Sequence, residues 1–232
     1  MKKIIKKAFK DTIPVLTGYL VLGFGFGIIL NSSGYGILLT FIMSLLIYAG
    51  SMQYAAVGLL TGGASFLTTA LTTLMVNARH IFYGISMLGR YKWAGKRKPY
   101  LIFSLTDETY SLVCGDLDGV PYENRIDYCF LVSVFNHVYW VTGSVFGAVV
   151  GAILPFNMAG VDFALTALFI TVFLEQWRTA KKHTPAVIGL VSSFVSLLIF
   201  GKDGFLIPAM LVITLLLYVD TTSRSRKGKK RS

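Results

Sequence analysis

Eight mostly apolar stretches, separated by short polar punctuation, fill most of the chain: 12–30, 36–60, 64–88, 100–114, 126–154, 161–177, 186–200 and 205–219. Several reach about 18 to 25 residues, enough for a helix to cross roughly 30 Å of hydrocarbon. Apolar positions are continuous within each stretch, which is the pattern of helices and not the alternation of an outer-membrane barrel. The expected fold is all-α, a polytopic integral membrane protein with about seven or eight helical segments.

Polar interruptions inside these stretches carry as much information. In 36–60 the run is broken by Ala49-Gly50-Ser51-Met52-Gln53-Tyr54. A helix that unwinds halfway through a bilayer frees N–H and C=O groups for polar ligands. A packing glycine and a glutamine satisfied inside the protein would leave the same trace. The stretch 100–114 spans only about 21 Å at 1.5 Å per residue and is broken by Thr106-Asp107-Glu108-Thr109-Tyr110. It reads as a short, tilted or re-entrant helix. Pro14 falls in the first turn of the first segment, where proline is tolerated. Gly23 and Gly27 there, and Gly143, Gly147 and Gly151 in 126–154, recur at spacing four. Small residues at that spacing predict close helix contact. Asn136 and Trp140 share the face of the second set. His137 reads best as a core residue bonded to a neighbouring helix, and Asn136 reads equally as core or as site.

The most unusual stretch is Asn77-Ala78-Arg79-His80-Ile81-Phe82-Tyr83-Gly84, deep in the apolar run 64–88. An arginine at the centre of a bilayer helix costs from about +2.5 to more than about +10 kcal/mol, depending on method. At helical spacing Asn77, His80 and Gly84 share one face, with Arg79 and Tyr83 stacked one turn apart beside it. Such residues belong in a protein interior or a wet cavity, unless Arg79 snorkels to the headgroups from a helix end. Asp107 and Glu108 are the natural partners for Arg79 and His80, unless they lie at a solvated helix end.

Composition agrees with the pattern. Hydrophobic residues make up 54% of the 232 and charged residues 14%, against roughly 25% charged in soluble domains. The net charge of +11 does not indicate nucleic acid, because the basic residues cluster outside the apolar runs, near 2–10, 90–98, 178–182 and 224–231. Cytoplasmic loops of membrane proteins carry this excess. The expected organisation is a basic cytoplasmic N-terminus (1–11), one transmembrane domain (12–220) and a polybasic, disordered cytoplasmic tail (221–232). The early basic-then-apolar run lacks a small-x-small cleavage site and is expected to be retained as a helix. Halves 12–114 and 126–220 echo each other faintly, with Gly23 to Leu30 resembling Gly147 to Leu154, and Gln53 resembling Gln176. Charge counting threads the chain from 126 onward without conflict. Earlier, three crossings from an inside N-terminus would put the basic 90–98 loop outside. Either one early segment is re-entrant or that loop breaks the rule.

Cys114 and Cys129 have no metal-ligand spacing and form no disulfide framework. The chain contains no phosphate-binding Gly-x-x-x-x-Gly-Lys-Ser loop, no Gly-x-Ser-x-Gly and no His-Glu-x-x-His, so neither an enzyme nor a resident cofactor or metal is expected.

Tyr48-Ala49-Gly50-Ser51-Met52-Gln53-Tyr54, Asn77 to Gly84 and Leu105-Thr106-Asp107-Glu108-Thr109-Tyr110, in this order, resemble the AzlC family of bacterial branched-chain amino acid exporters. Asn136, Trp140 and Gly143 fit the same pattern, so the resemblance covers most of the chain, the last segment and tail excepted. The resemblance implies export of leucine, isoleucine and valine, and in some members methionine or azaleucine, across the inner membrane. It also implies secondary transport coupled to protons and a small AzlD-type membrane subunit as partner.

An amino-acid zwitterion needs a cation or helix N-terminus for its carboxylate and an anion or carbonyls for its ammonium. Arg79, or N–H groups freed at Gly50 and Ser51, would serve the first, and Asp107 or Glu108 the second. Either acid, or His80, would carry the coupling proton. The expected site is Gly50, Ser51, Gln53, Asn77, Arg79, His80, Tyr83, Asp107, Glu108 and Asn136. The competing reading is a non-transporting membrane scaffold or channel subunit in which Arg79 and an acid form a structural pair.

Overall fold

The computed structural model describes residues 2–115, 117–154, 170, 173–174, 177–178, 180 and 183–229. Nine α-helices and no strands are present among them, in two compact units, Met1–Val161 and Asp162–Ser232. The first unit contains α1 (Lys2–Ser32), α2 (Ile37–Leu46), α3 (Gly50–Thr61), α4 (Phe66–Met87), α5 (Lys98–Phe103), α6 (Asp107–Val113) and α7 (Arg125–Ile153). The second contains α8 (Thr184–Gly204) and α9 (Leu206–Lys229). Among the described residues, three helical stretches are long and apolar enough to cross a membrane: Lys2–Ser32, Tyr122–Ile153 and Thr184–Gly201. The chain is an all-α membrane protein.

Helix α1 begins earlier than expected. Lys2, Lys3 and Lys6 are exposed while Ile4 and Ala8 are buried in the core, so burial of one face extends the helix to the N-terminus. Pro14 therefore lies inside the helix and not in its first turn. It removes the donor for the carbonyl four residues back, at exposed Lys10, where water can serve instead.

Helices α1 and α7 form the frame of the first unit. Contacts advance together along both, from Phe9 with Phe135 and Thr12 with Tyr139 to Tyr19 with Trp140, so the two run parallel. At their crossing the glycines bring backbone against backbone. A Cβ on Gly23 would lie 2.9 Å from Ser144 N, and one on Gly143 would lie 2.8 Å from Tyr19 O. On Gly27 and Gly147 it would overlap the backbones of Ser144 and Phe24 outright.

Between these helices the chain makes two hairpins that turn back at half depth. Tyr35 N donates to Leu30 O at the C-terminal end of α1 (3.2 Å), and α2 leads from there back along α1. It stops at 47–49, where the Tyr48 ring lies 6.5 Å from Tyr19 and 4.2 Å from His137. Helix α3 then returns the way α2 came. Its Tyr54 hydroxyl donates to Leu22 O (2.5 Å), and the ring packs on Phe26. Helix α4 starts with Ser65 Oγ accepting from Thr68 N (3.2 Å) and runs the full depth to Met87. Met87 is buried with Ile4, Ala8 and Tyr91 at the N-terminal end of α1. From that end α5 rises, with Leu101 in the same cluster and Phe103 6.2 Å from Tyr48. The chain breaks at 104–106, where Thr106 Oγ1 meets the Tyr19 hydroxyl (2.7 Å). Helix α6 descends until Val113 rejoins the Ile4 cluster.

Thus α1–α3 and α4–α6 repeat one plan, a long helix followed by a half-depth hairpin, in opposite directions. The expected breaks in 36–60 and 100–114 are both present, one at each hairpin tip. The threading conflict also disappears. Because 36–60 is the re-entrant segment, the basic 90–98 loop shares an end with the N-termini of α1 and α7, where Arg97 pairs with Asp127. The expected correspondence of 12–114 with 126–220 depends on 155–182, most of which lies outside the described residues, as do Glu175, Gln176, Lys181 and Lys182.

In the second unit, Gly201 (φ 68°, ψ 175°) kinks α8 at the expected turn. Helix α9 continues to Lys229, into the expected polybasic tail, of which 230–232 lie outside the described residues. Pro208 falls in its first turn and no proline follows, and extending a nucleated helix needs only one residue fixed per added bond.

Candidate functional site

The two hairpin tips meet beside α4 and α7, and each presents a helix N-terminus at mid-depth. Gly50 opens α3 against Trp140, where a Cβ would lie 3.0 Å from the ring. Just before it, Tyr48 adopts φ 43°, a conformation costing a non-glycine residue about 1–3 kcal/mol. The tip is strapped in place by the fully buried Gln53. Its Oε1 accepts from Trp140 Nε1 (2.9 Å), and its Nε2 donates to Ser44 Oγ (3.3 Å). Gln53 is thus engaged across both arms of the hairpin. The second tip is made by Thr106, which caps α6 by accepting from Thr109 N (3.3 Å).

Arg79 joins the tips. Its Nη1 lies 2.5 Å from Asp107 Oδ2, and its Nη2 donates to Ser51 Oγ (2.9 Å). The pair is part-exposed, at 37% and 28% for the two side chains, so a solute could reach it. Tyr83 stands beside Asp107 and stacks on Tyr110 (4.5 Å, 14°), while the His80 ring lies 5.9 Å from Tyr83. Asn77 Oδ1, Arg79 Nε and Asp107 Oδ1 are buried without a well-formed hydrogen bond. Leaving such groups unpaired costs roughly 1–3 kcal/mol each. Two of them belong to the partners of one ion pair, which marks a place for a polar guest.

Glu108 faces elsewhere, because adjacent helix positions point about 100° apart. It accepts from the Tyr19 hydroxyl (2.6 Å). Close by, Asn136 Nδ2 donates to Thr109 Oγ1 (3.0 Å), leaving Asn136 Oδ1 unpaired. His137 Nδ1 meets the Tyr100 hydroxyl (3.1 Å) and the ring faces the backbone of Ser44 and Leu45, consistent with a core role. The expected site residues are therefore dispersed. Ser51, His80 and Tyr83 gather around the Arg79–Asp107 pair, with Gly50 next in the chain to Ser51. Glu108 and Asn136 belong to a second cluster against α1 and α7. Gln53 is engaged in the strap, and Asn77 lies on α4 two positions before Arg79.

Sequence reasoning missed Tyr19, Tyr48, Thr106 and Tyr110. Thr106 had a signal, since a threonine followed by two acids is a helix start. Tyr48 and Tyr110 stood in the stretches that carry the family resemblance, whereas Tyr19 had no signal, being an ordinary member of an apolar run. Among the described residues no group of three or more His, Cys, Asp or Glu side chains could hold a metal. A cation, an anion and two helix N-termini at one part-exposed point suit a small zwitterion.

A family profile described as "AzlC protein" matches residues 14–154. The "Branched-chain amino acid transport protein AzlC" of Bacillus subtilis (strain 168) is 45% identical over 211 residues, covering 90% of this chain and 82% of that protein. An "Uncharacterized membrane protein" of Haemophilus influenzae is 42% identical over 224 residues, covering 96% and 91%. The "Inner membrane protein YgaZ" of Escherichia coli (strain K12) is 29% identical over 191 residues, covering 79% and 78%. No solved structure matches.

Proposed function

Because the chain belongs to the AzlC family, we propose that it is a secondary transporter exporting branched-chain amino acids across the bacterial inner membrane, coupled to protons and assisted by a small AzlD-type subunit. The observation that carries this reading is the Arg79–Asp107 pair between two hairpin tips, part-exposed and with unpaired polar atoms on both partners. The Bacillus relative's name supports the substrate class, and the Escherichia relative's name supports the membrane. The basic ends of α1 and the 90–98 loop face the cytoplasm by charge counting.

Without substrate, Arg79 and Asp107 neutralise each other. A bound zwitterion inserts between them. Its carboxylate takes the guanidinium fork, aided by the N–H groups that open α3, and its ammonium takes Asp107. The branched side chain lies against the surrounding apolar residues. Glu108 has hydroxyl neighbours where Asp107 has a cation, and we assign it the coupling proton. Substrate and proton then act on the same short helix, α6, from different faces.

The test is leucine and isoleucine efflux from preloaded cells, with and without the small subunit, for wild type and Asp107→Asn. Efflux that requires the chain, falls when the proton gradient collapses and fails in the mutant is expected. An unimpaired mutant would remove Asp107 from the site. Restored efflux in the charge-swapped Arg79→Asp/Asp107→Arg chain would make the pair structural.

A further inference from the structure

A cavity of about 990 Å³ opens at the end of the first unit that carries the N-termini of α1 and α7. Three arginines line it: Arg90, Arg97 and Arg125. Arg97 is occupied by Asp127. Arg90 Nη2 donates to Cys114 O (3.1 Å) and Gly115 O (2.9 Å), but its Nη1 is buried without an acceptor. Arg125 Nε is likewise buried and unpaired. The wall thus holds two guanidinium donors with no anion to receive them. Its other lining groups include one acid, Glu123, and apolar Met87 and Ile126.

A seam leads inward from this cavity. On and just beyond α4, the residues Arg79, Tyr83, Ser86 and Arg90 fall at spacings of four, three and four; on and just beyond α6, Asp107, Tyr110 and Cys114 fall at three and four. The two stripes meet rung by rung. Arg79 pairs with Asp107, Tyr83 stacks on Tyr110, Ser86 Oγ donates to the Tyr110 hydroxyl (3.1 Å), and Arg90 reaches Cys114 O. Of all α4 residues only Met87 is buried.

Resting on the transport reading above, we propose that the cavity is a second, vestibular site for the same neutral amino acid. Arg90 and Arg125 hold its carboxylate, Glu123 faces its ammonium, and the Tyr83–Tyr110 stack is the closed door to Arg79 and Asp107. An anionic lipid headgroup would use the same arginines, and exposed Trp93 and Tyr122 stand at the rim. Glu123 disfavours a phosphate there, and the seam leads from the cavity to the Arg79–Asp107 pair.

Cys114 supplies the reporter, since it is exposed on the cavity wall while Cys129 is buried. The full chain, co-reconstituted with the proposed small subunit, is labelled with a membrane-impermeant maleimide at increasing leucine, with Cys114→Ser as the background. Leucine should slow labelling in wild type and in Arg79→Gln. In Arg125→Gln the half-protecting concentration should rise about tenfold, the loss of one charge-assisted bond. Arg90→Gln provides the same check should Arg125→Gln misfold. Protection that survives Arg125→Gln and Arg90→Gln but vanishes in Arg79→Gln would overturn the vestibule, as would protection by phosphatidylglycerol and not by leucine. Efflux measured on the same vesicles separates the two claims. Efflux without protection rejects the vestibule alone, and neither efflux nor protection rejects the transport reading with it.

Discussion

Two helix contacts in the first unit are built on opposite principles. Where α1 crosses α7, glycines bring backbone to backbone. Where α4 faces α6, the contact is made by an arginine, an aspartate, two tyrosines and a serine, with unpaired polar atoms left over. Packing between apolar helices in a membrane depends on close van der Waals fit, which a displaced glycine contact loses at once. An ion pair and a ring stack can part and find other partners, water or substrate among them. The first contact is therefore the fixed frame and the second the part that can move. This also accounts for α4, a full-depth helix of which Met87 alone is buried.

The comparison breaks most violently at the frame. Gly147→Leu must push its side chain through the Phe24 backbone. Overpacking a side chain against other side chains costs typically about 1–3 kcal/mol, and here backbone has to give way, so the loss should exceed that range. No monodisperse protein is expected on size exclusion in detergent. A folded, transporting Gly147→Leu would mean that the α1–α7 contact is not the frame.

At the seam the same kind of insult should separate stability from function. Arg79→Gln removes a part-exposed pair, and such pairs contribute about 0–1 kcal/mol at a surface. The melting temperature should move by only a few degrees, in line with about 4 °C per kcal/mol or less for a domain of this size. Leucine efflux should fall at least about tenfold, the effect of losing a bidentate carboxylate contact. A large loss of melting temperature together with efflux would make Arg79 part of the frame.

These contrasts were partly written in the sequence. Glycines at spacing four announced the frame, and Arg79 among apolar residues announced a buried partner, because both features violate what the surrounding run prefers. The breaks at Gly50 and Thr106 were legible for the same reason. The direction of the chain after each break was not. Nothing local in Ile47-Tyr48-Ala49 distinguishes a kink that continues across the bilayer from a turn back, and that choice depends on Tyr54 reaching Leu22 and on Phe103 meeting Tyr48. The separation of Asp107 from Glu108 was also hidden. Their adjacency suggested joint action, but the helix that Thr106 starts turns them to different faces.

A smaller effect tests the strap that holds the first tip to the frame. Trp140→Phe keeps the ring stacking on Phe26 and Tyr19 but removes the donor to Gln53 Oε1. A buried acceptor without its donor costs about 1–3 kcal/mol. Unfolding in detergent should show that loss, with efflux reduced about two- to fivefold as the tip loosens, a change worth about 1 kcal/mol or less. A variant as stable as wild type would show that Gln53 finds another donor and that the strap is dispensable.

The smallest effect expected is the most discriminating for the movable part. Gly84 lies on α4 one turn from His80, and a Cβ added there would meet nothing within 4 Å. Alanine in a helix interior is favoured over glycine by about 0.8–1.0 kcal/mol, so Gly84→Ala should leave the protein as stable as wild type or slightly more so. If α4 separates from α6 as a rigid rod, a stiffer helix carries substrate equally well, and efflux should stay within about twofold, or less than about 0.5 kcal/mol. A tenfold fall in efflux with intact stability would instead locate the motion inside α4, with Gly84 as its hinge. The Arg79 and Tyr83 rungs would then open by bending of the helix and not by its departure. The rigid-rod outcome is the one expected, because neither Pro nor a break interrupts α4 between Phe66 and Met87, and sharp helix bends almost always have such a cause.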